Sequence, residues 1–202
     1  MDMIYQCALN FVSLKNYEYR FIVSQKRRNQ ELLLNFQDSD FFHLAGLHYL
    51  TDINIPKNRH KILDNIINKK KLTDELLDKS RFFTNPLPDR DIRSRIKELC
   101  SLEKYLDTKN FIRIYNTKND SYLRSNIQAD YMIESQIKGS STTVYIFLKA
   151  RKECPDYLCI VSFFKKNAIT YGGDKLYWML KEKICSNQSI ILYKHPNYIP
   201  NI

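Results

Sequence analysis

Glycine is scarce in this sequence, with four residues among 202: Gly46, Gly139, Gly172 and Gly173. Neither a P-loop nor a G-x-G-x-x-G fingerprint can be assembled from them, which removes the commonest nucleotide-dependent enzymes. Cysteine is sparse and odd in number. Cys7, Cys100, Cys154, Cys159 and Cys185 hold no C-x-x-C pair, and His195 lies far downstream of the nearest two. Structural zinc ligands arrive in close pairs, so these residues read as reduced thiols, and neither a metal nor another cofactor is expected. No apolar run approaches the roughly 18 residues that suggest a membrane span. A basic leader with an apolar stretch and a small-residue cleavage site is missing too, so a cytoplasmic location without membrane contact is expected.

What is present fits an ordinary globular chain. A mass of 24.2 kDa predicts one domain over residues 1–202. Hydrophobic residues at 44% and charged residues at 27% exclude wholesale disorder. The net charge is +10, with the positive surplus concentrated in 57–81, 90–118 and 145–202. Such a chain attracts polyanions, although a Lys-, Asn-, Ile- and Tyr-rich composition also follows from base composition in the encoding genome. Convergence of cations with reactive groups therefore matters more than the total.

Ile4, Ala8, Phe11 and Val12 recur at helical spacing and predict a first helix over 2–15. Tyr17 to Ser24 alternates, Lys26 to Asn29 reads as a turn, and Glu31 to Phe36 returns as a second strand. Asp38 is placed to cap a helix running to Leu50, with Gly46 in its middle. Pro56 opens another helix, Leu72 to Leu77 predicts a short one, and a further helix is expected over 91–106 after Asn85-Pro86-Leu87-Pro88. Strands are predicted at 111–115, 127–133, 142–148 and 157–164, with an edge strand at 190–193. The segment 176–184 fits helix or strand. The fold class is α+β: a mainly antiparallel sheet with an N-terminal helix and a helical insert, 52–106, after the first hairpin.

Histidine is limited to His43, His48, His60 and His195. In one continuous helix His43 and His48 stand about 140° apart, so they form no metal pair. Glycine inside a helix costs ~1 kcal/mol against alanine, and close approach of a sheet or ligand would account for Gly46. His43 is then either a general base or acid held between helix and sheet, or a satisfied structural group. On the later strands Tyr145, Phe147, Lys149 and Arg151 share a face if the strand continues, near Ser162, Lys165, Lys166, Tyr171 and Lys175. Cations mixed with phenols and a hydroxyl suit a phosphodiester; the plainer reading is a solvated edge guarded by lysines. Lys69-Lys70-Lys71 has no aromatic or histidine beside it and reads as a solvated face. Asp130 and Glu134 lack a third carboxylate for two-metal hydrolysis, and no serine-hydrolase elbow exists. No helix-turn-helix with a basic second helix stands out.

The order of these segments resembles one nuclease family. A hairpin is followed by Phe41-Phe42-His43-Leu44-Ala45-Gly46-Leu47 and a helical insert. Then come Ala129-Asp130-Tyr131, Tyr145-Ile146-Phe147-Leu148, Ser162-Phe163-Phe164 and Trp178 to Ile184. The series is similar to the fourth phage-type group of the barnase–EndoU–colicin–RelE-like superfamily over nearly the whole chain. The resemblance implies metal-independent RNA cleavage, in which the ribose 2′-hydroxyl attacks its own phosphate and leaves a 2′,3′-cyclic phosphate. It implies a phage or mobile-element toxin or effector, with RNA as partner and an antitoxin or host protein as a further one. His43 matches the helix histidine, and Lys149 or Arg151 and Ser162 match polar sheet positions. Lys165 stands where proline is expected and Lys166 where arginine is.

The expected site follows from both readings. His43, Lys149, Arg151 and Ser162 are catalytic, and Lys165, Lys166, Tyr171, Lys175 and Tyr177 bind substrate. The alternative is a catalytically inactive module on the same fold that binds RNA or a host protein. Convergence of His43 with the sheet cations separates the two.

Overall fold

A computed structural model describes residues 2–87, 90–116, 126–166, 171–186 and 188–200. The first helix, α1 (Met3–Leu14), buries Ile4, Cys7, Ala8, Phe11 and Leu14, the stripe that its periodicity predicts. Its first two N–H groups donate to the Asp74 carboxylate, a cap supplied from a later helix. Strands β1 (Glu18–Gln25) and β2 (Arg28–Leu34) form the expected hairpin around a two-residue turn. Lys26 and Arg27 both adopt left-handed backbone there, with φ of 48° and 66°. Both positive angles are what a type I′ hairpin turn demands, and this turn meets the demand without glycine or asparagine.

The helical block runs from β2 to β3. It comprises α2 (Asp38–Leu44), α3 (Ile62–Ile67), α4 (Asp74–Leu77), α5 (Ile92–Leu99) and α6 (Leu102–Asp107). Short 3₁₀ turns stand at Leu47–Tyr49 and Arg59–Lys61. Four sequence expectations change here. Pro56 opens no helix, since α3 begins at Ile62. Gln37, not Asp38, occupies the cap of α2, in a reciprocal box with Asp40. The predicted helix over 91–106 is two helices, broken at Cys100 and Ser101. The helix through Leu50 ends at Leu44.

Six further strands follow: β3 (Phe111–Tyr115), β4 (Tyr131–Gln136), β5 (Thr143–Ala150), β6 (Tyr157–Lys165), β7 (Gly173–Cys185) and β8 (Gln188–Lys194). The ambiguous segment 176–184 is strand, within β7. The sheet runs β1-β2-β6-β5-β4-β3-β7-β8, and an additional β1–β7 pairing closes seven strands into a barrel. All described pairings are antiparallel except β2–β6, which joins only Leu33 to Tyr157 and Leu34 to Leu158. Beyond that short seam the free side of β6 meets helices, and α2 and α5 pack there.

Alternation along the strands divides the apolar residues into two clusters. Val144, Ile146 and Leu148 of β5 join Tyr19, Phe21, Ile133, Phe163 and the helices in one core. Tyr145 and Phe147 point to the opposite face, with Tyr115, Met132, Phe164 and Tyr171. That second cluster is mostly aromatic, and edge-on contacts dominate it: Tyr171 meets Tyr145 and Phe147 at 5.2 Å each.

Candidate active site

The break in the second helix builds the site. Gly46 has φ of 72° and follows the last turn of α2, the position where a left-handed residue ends a helix. A β-carbon there would lie 2.8 Å from Cδ1 of Ile92 and 3.1 Å from Cδ of Arg95. Close approach does explain this glycine, as expected, but the neighbour is α5 and the position is a helix end. The turn swings the next residues back over α2. As a result the His43 and His48 rings lie 4.9 Å apart, where a continuous helix would separate them.

Burial and nearby cations disfavour the charged form of both imidazoles. Burial lowers the pKa of His43, the charge of Arg59 lowers it further, and Asp40 works in the opposite direction. Burial lowers His48 to about 4, helped by His43, Arg95 and Arg59 and opposed by a hydrogen bond to the Phe42 backbone. Nδ1 of His48 is buried and has no hydrogen-bond partner among the described residues. The Tyr49 ring lies 3.9 Å from that of His48, and the guanidinium of Arg95 sits 5.4 Å from the Tyr49 centroid.

Tyr49 and Arg95 then open onto a groove of about 830 Å³ between the helical block and the aromatic face of the sheet. Phe82 and Arg90 line it from the helical side, and Gln128, Ser162, Phe164 and Tyr171 from the other. Arg95 is 4% exposed and lies within 5.9 Å of the Phe164 centroid, so it bridges the two walls. The imidazoles stand at the rim behind Tyr49 and do not themselves line the groove.

The sequence-predicted residues divide into three groups. Ser162 and Tyr171 line the groove, and Lys149 reaches it indirectly by donating to Gln128 at 3.3 Å. Lys166 donates to Glu134 at 2.6 Å beside the Tyr145 ring, and that bond raises its pKa. Lys165 ends β6 opposite Val144.

Arg151 departs from expectation: it lies just past the end of β5 at Ala150, and its side chain is taken up by the start of α2. Its guanidinium donates to Asn35 Oδ1 at 2.6 Å and Asn35 O at 2.9 Å, and to the two Asp40 oxygens at 3.2 and 2.6 Å. Four of its five N–H groups are thus occupied, at 6% exposure, so it anchors the start of α2 and is not placed to take a phosphate. Asp40 lies one turn before His43, which makes Arg151 a positioning residue. Lys175 and Tyr177 form the third group, in a separate notch on β7.

Sequence reasoning missed His48 as a partner of His43, together with Tyr49, Arg59, Arg90 and Arg95. The available signal was Gly46 read as a helix stop, which would have cut α2 short and folded His48 back.

No curated protein and no solved structure is a significant match to this chain. A family model does match it, over residues 3–195. It describes a phage-Barnase-EndoU-ColicinE5/D-RelE-like nuclease, the fourth of its kind, and covers both walls of the groove and the imidazole pair. The chain belongs to that nuclease family.

Proposed function

We propose that the protein is an endoribonuclease that cleaves RNA without a metal, through attack of the 2′-hydroxyl on the adjacent phosphate. The observation that carries this reading is the His43–His48 imidazole pair, with rings 4.9 Å apart, beside two arginines. Arg59 and Arg95 both act on His48. A phosphodiester held between them brings its negative charge against both rings. That charge offsets the arginines and raises both imidazole pKa values, so the pair takes up one proton as substrate binds. His43, next to Asp40, then removes the proton of the 2′-hydroxyl, and the protonated partner ring supplies one to the departing 5′-oxygen. Arg59 and Arg95 neutralise charge that develops on the non-bridging oxygens. Tyr49 and Tyr171 offer ring surfaces to the flanking bases, and Ser162 and Lys149 contact the strand along the groove. The products are a 2′,3′-cyclic phosphate and a 5′-hydroxyl.

The experiment is incubation of the purified protein with total and transfer RNA in EDTA, beside His43→Ala and His48→Ala, with analysis of the fragment ends. Cyclic-phosphate ends from the wild type alone support the mechanism. Fragments ending in 3′-hydroxyl and 5′-phosphate, or cleavage abolished by EDTA, overturn it.

A further inference from the structure

Lys175 and Tyr177 lie away from the groove yet share a sheet face with it. Pairing runs Lys175–Arg113–Met132–Phe147–Ser162 from β7 through β3, β4 and β5 to β6. Four inter-strand steps of about 4.8 Å join the ends, roughly 19 Å measured around the curve of the barrel. The same register, which pairs Ile112 with Leu176, sets Phe111 beside Tyr177.

These two rings are exposed as few large apolar side chains in this protein are, at 58% for Phe111 and 59% for Tyr177. Both line a notch of about 270 Å³, where β3 stops and β8 begins along the edge of β7. Its floor is fixed, because Nε1 of Trp178 donates to the Asn110 carbonyl at 2.8 Å and Nζ of Lys181 donates to the carbonyls of Leu106 and Thr108. The rim is basic. Lys175 lies 5.1 Å from the Tyr177 ring, with Lys109 and Arg113 alongside, and none of the three has an ion pair among the described residues. The lining carboxylate, Asp107, is taken up by Lys183 and the Tyr19 hydroxyl.

Exposed flat rings with unpaired cations at their edge match unstacked bases joined by phosphates. A duplex hides its base faces from such rings. We propose that the Phe111–Tyr177 notch is a second, non-catalytic contact for single-stranded RNA, which holds the strand where it leaves the groove and does so without regard to base sequence. That the strand comes from the groove rests on the ribonuclease reading; the binding itself does not.

The test uses the full chain and a fluorescein-labelled 2′-O-methyl oligouridylate of about 12 nucleotides, within the usual range for such surfaces, which cannot be cleaved through its 2′-oxygen. Phe111→Ala and Tyr177→Ala should each weaken binding roughly 10-fold. Lys175→Ala should reduce the slope of log affinity against log salt by about 1. Affinity for an RNA duplex, and cleavage of a dinucleotide by Phe111→Ala, should not change. Unchanged oligouridylate binding in both ring variants, or no binding by the wild type, overturns the notch. Loss of duplex and single-strand binding in equal measure overturns it as well. Absence of cleavage by the wild type sinks only the ribonuclease reading, because the binding arm is still read.

Discussion

Two of the places where a cation meets aromatic rings, Arg95 beside the groove and Lys175 at the notch, differ in burial. Arg95 is almost wholly enclosed between Tyr49 and Phe164, whereas Lys175 lies in solvent over Tyr177. An enclosed guanidinium has a fixed direction and acts through low dielectric, so it can stabilise charge as it develops. An exposed ammonium is screened within a Debye length of about 8 Å at physiological salt, which suits holding a strand and not driving a reaction. Enclosure thus separates the proposed region for chemistry from the proposed region for grip, although both set a cation against aromatic rings.

The sharpest way to break that contrast is removal of an imidazole. His43→Ala or His48→Ala should lower kcat/KM by about 10²–10⁴-fold while oligouridylate affinity changes little. A comparable loss of affinity would merge the two regions into one. Arg151→Met strips a nearly buried carboxylate of its partner and should cost about 3–5 kcal/mol of stability in urea titration. It should also move the acid limb of the pH–rate profile upward, since an unneutralised Asp40 favours protonated His43. A variant that loses stability with an unmoved limb limits Arg151 to packing.

Gly46→Ala places a β-carbon against Ile92 in a backbone conformation that alanine resists, for a loss of about 1–3 kcal/mol. Adding Ile92→Val, which removes the obstructing Cδ1, should recover part of it, as read from the thermal midpoint. The smallest effect is on pH. His48 has its folded pKa lowered to about 4, so the unfolded chain binds more protons between that value and about 6.5. Stability should therefore fall as pH drops through this window, and His48→Asn should flatten the slope without touching the notch.

Much of the fold was legible because alternation and turn chemistry are local. The first hairpin and the two faces of β5 follow directly from which residues are apolar at every second position. The site was less legible, for three physical reasons. The stop in α2 depends on Gly46 meeting α5, and α5 is distant in sequence, so helix propensity alone carried the prediction on to Leu50. Arg151 was placed with Lys149 from strand alternation, whereas Asn35 and Asp40, more than a hundred residues earlier, capture its guanidinium. Lys175 and Tyr177 were grouped with Ser162 by nearness in sequence, whereas the barrel inserts β5, β4 and β3 between them. His43, Ser162 and Tyr171 stood out because their residue types are rare or clustered, and those are local properties.

The closure of the barrel has a consequence for when the protein can act. β1 needs β7 as its second neighbour, and the contact between Arg20 and Glu182 joins positions 162 residues apart. During translation at about 5–20 residues per second, roughly 8 to 32 s pass between the emergence of one strand and the other. Throughout that interval β1 is an open edge, and the strand that carries Ser162 has been made only near its close. A nascent chain is thus unable to assemble the groove while most of its length is still on the ribosome. A cell that makes this protein has that delay in which to trap the unfinished edge before a finished nuclease exists.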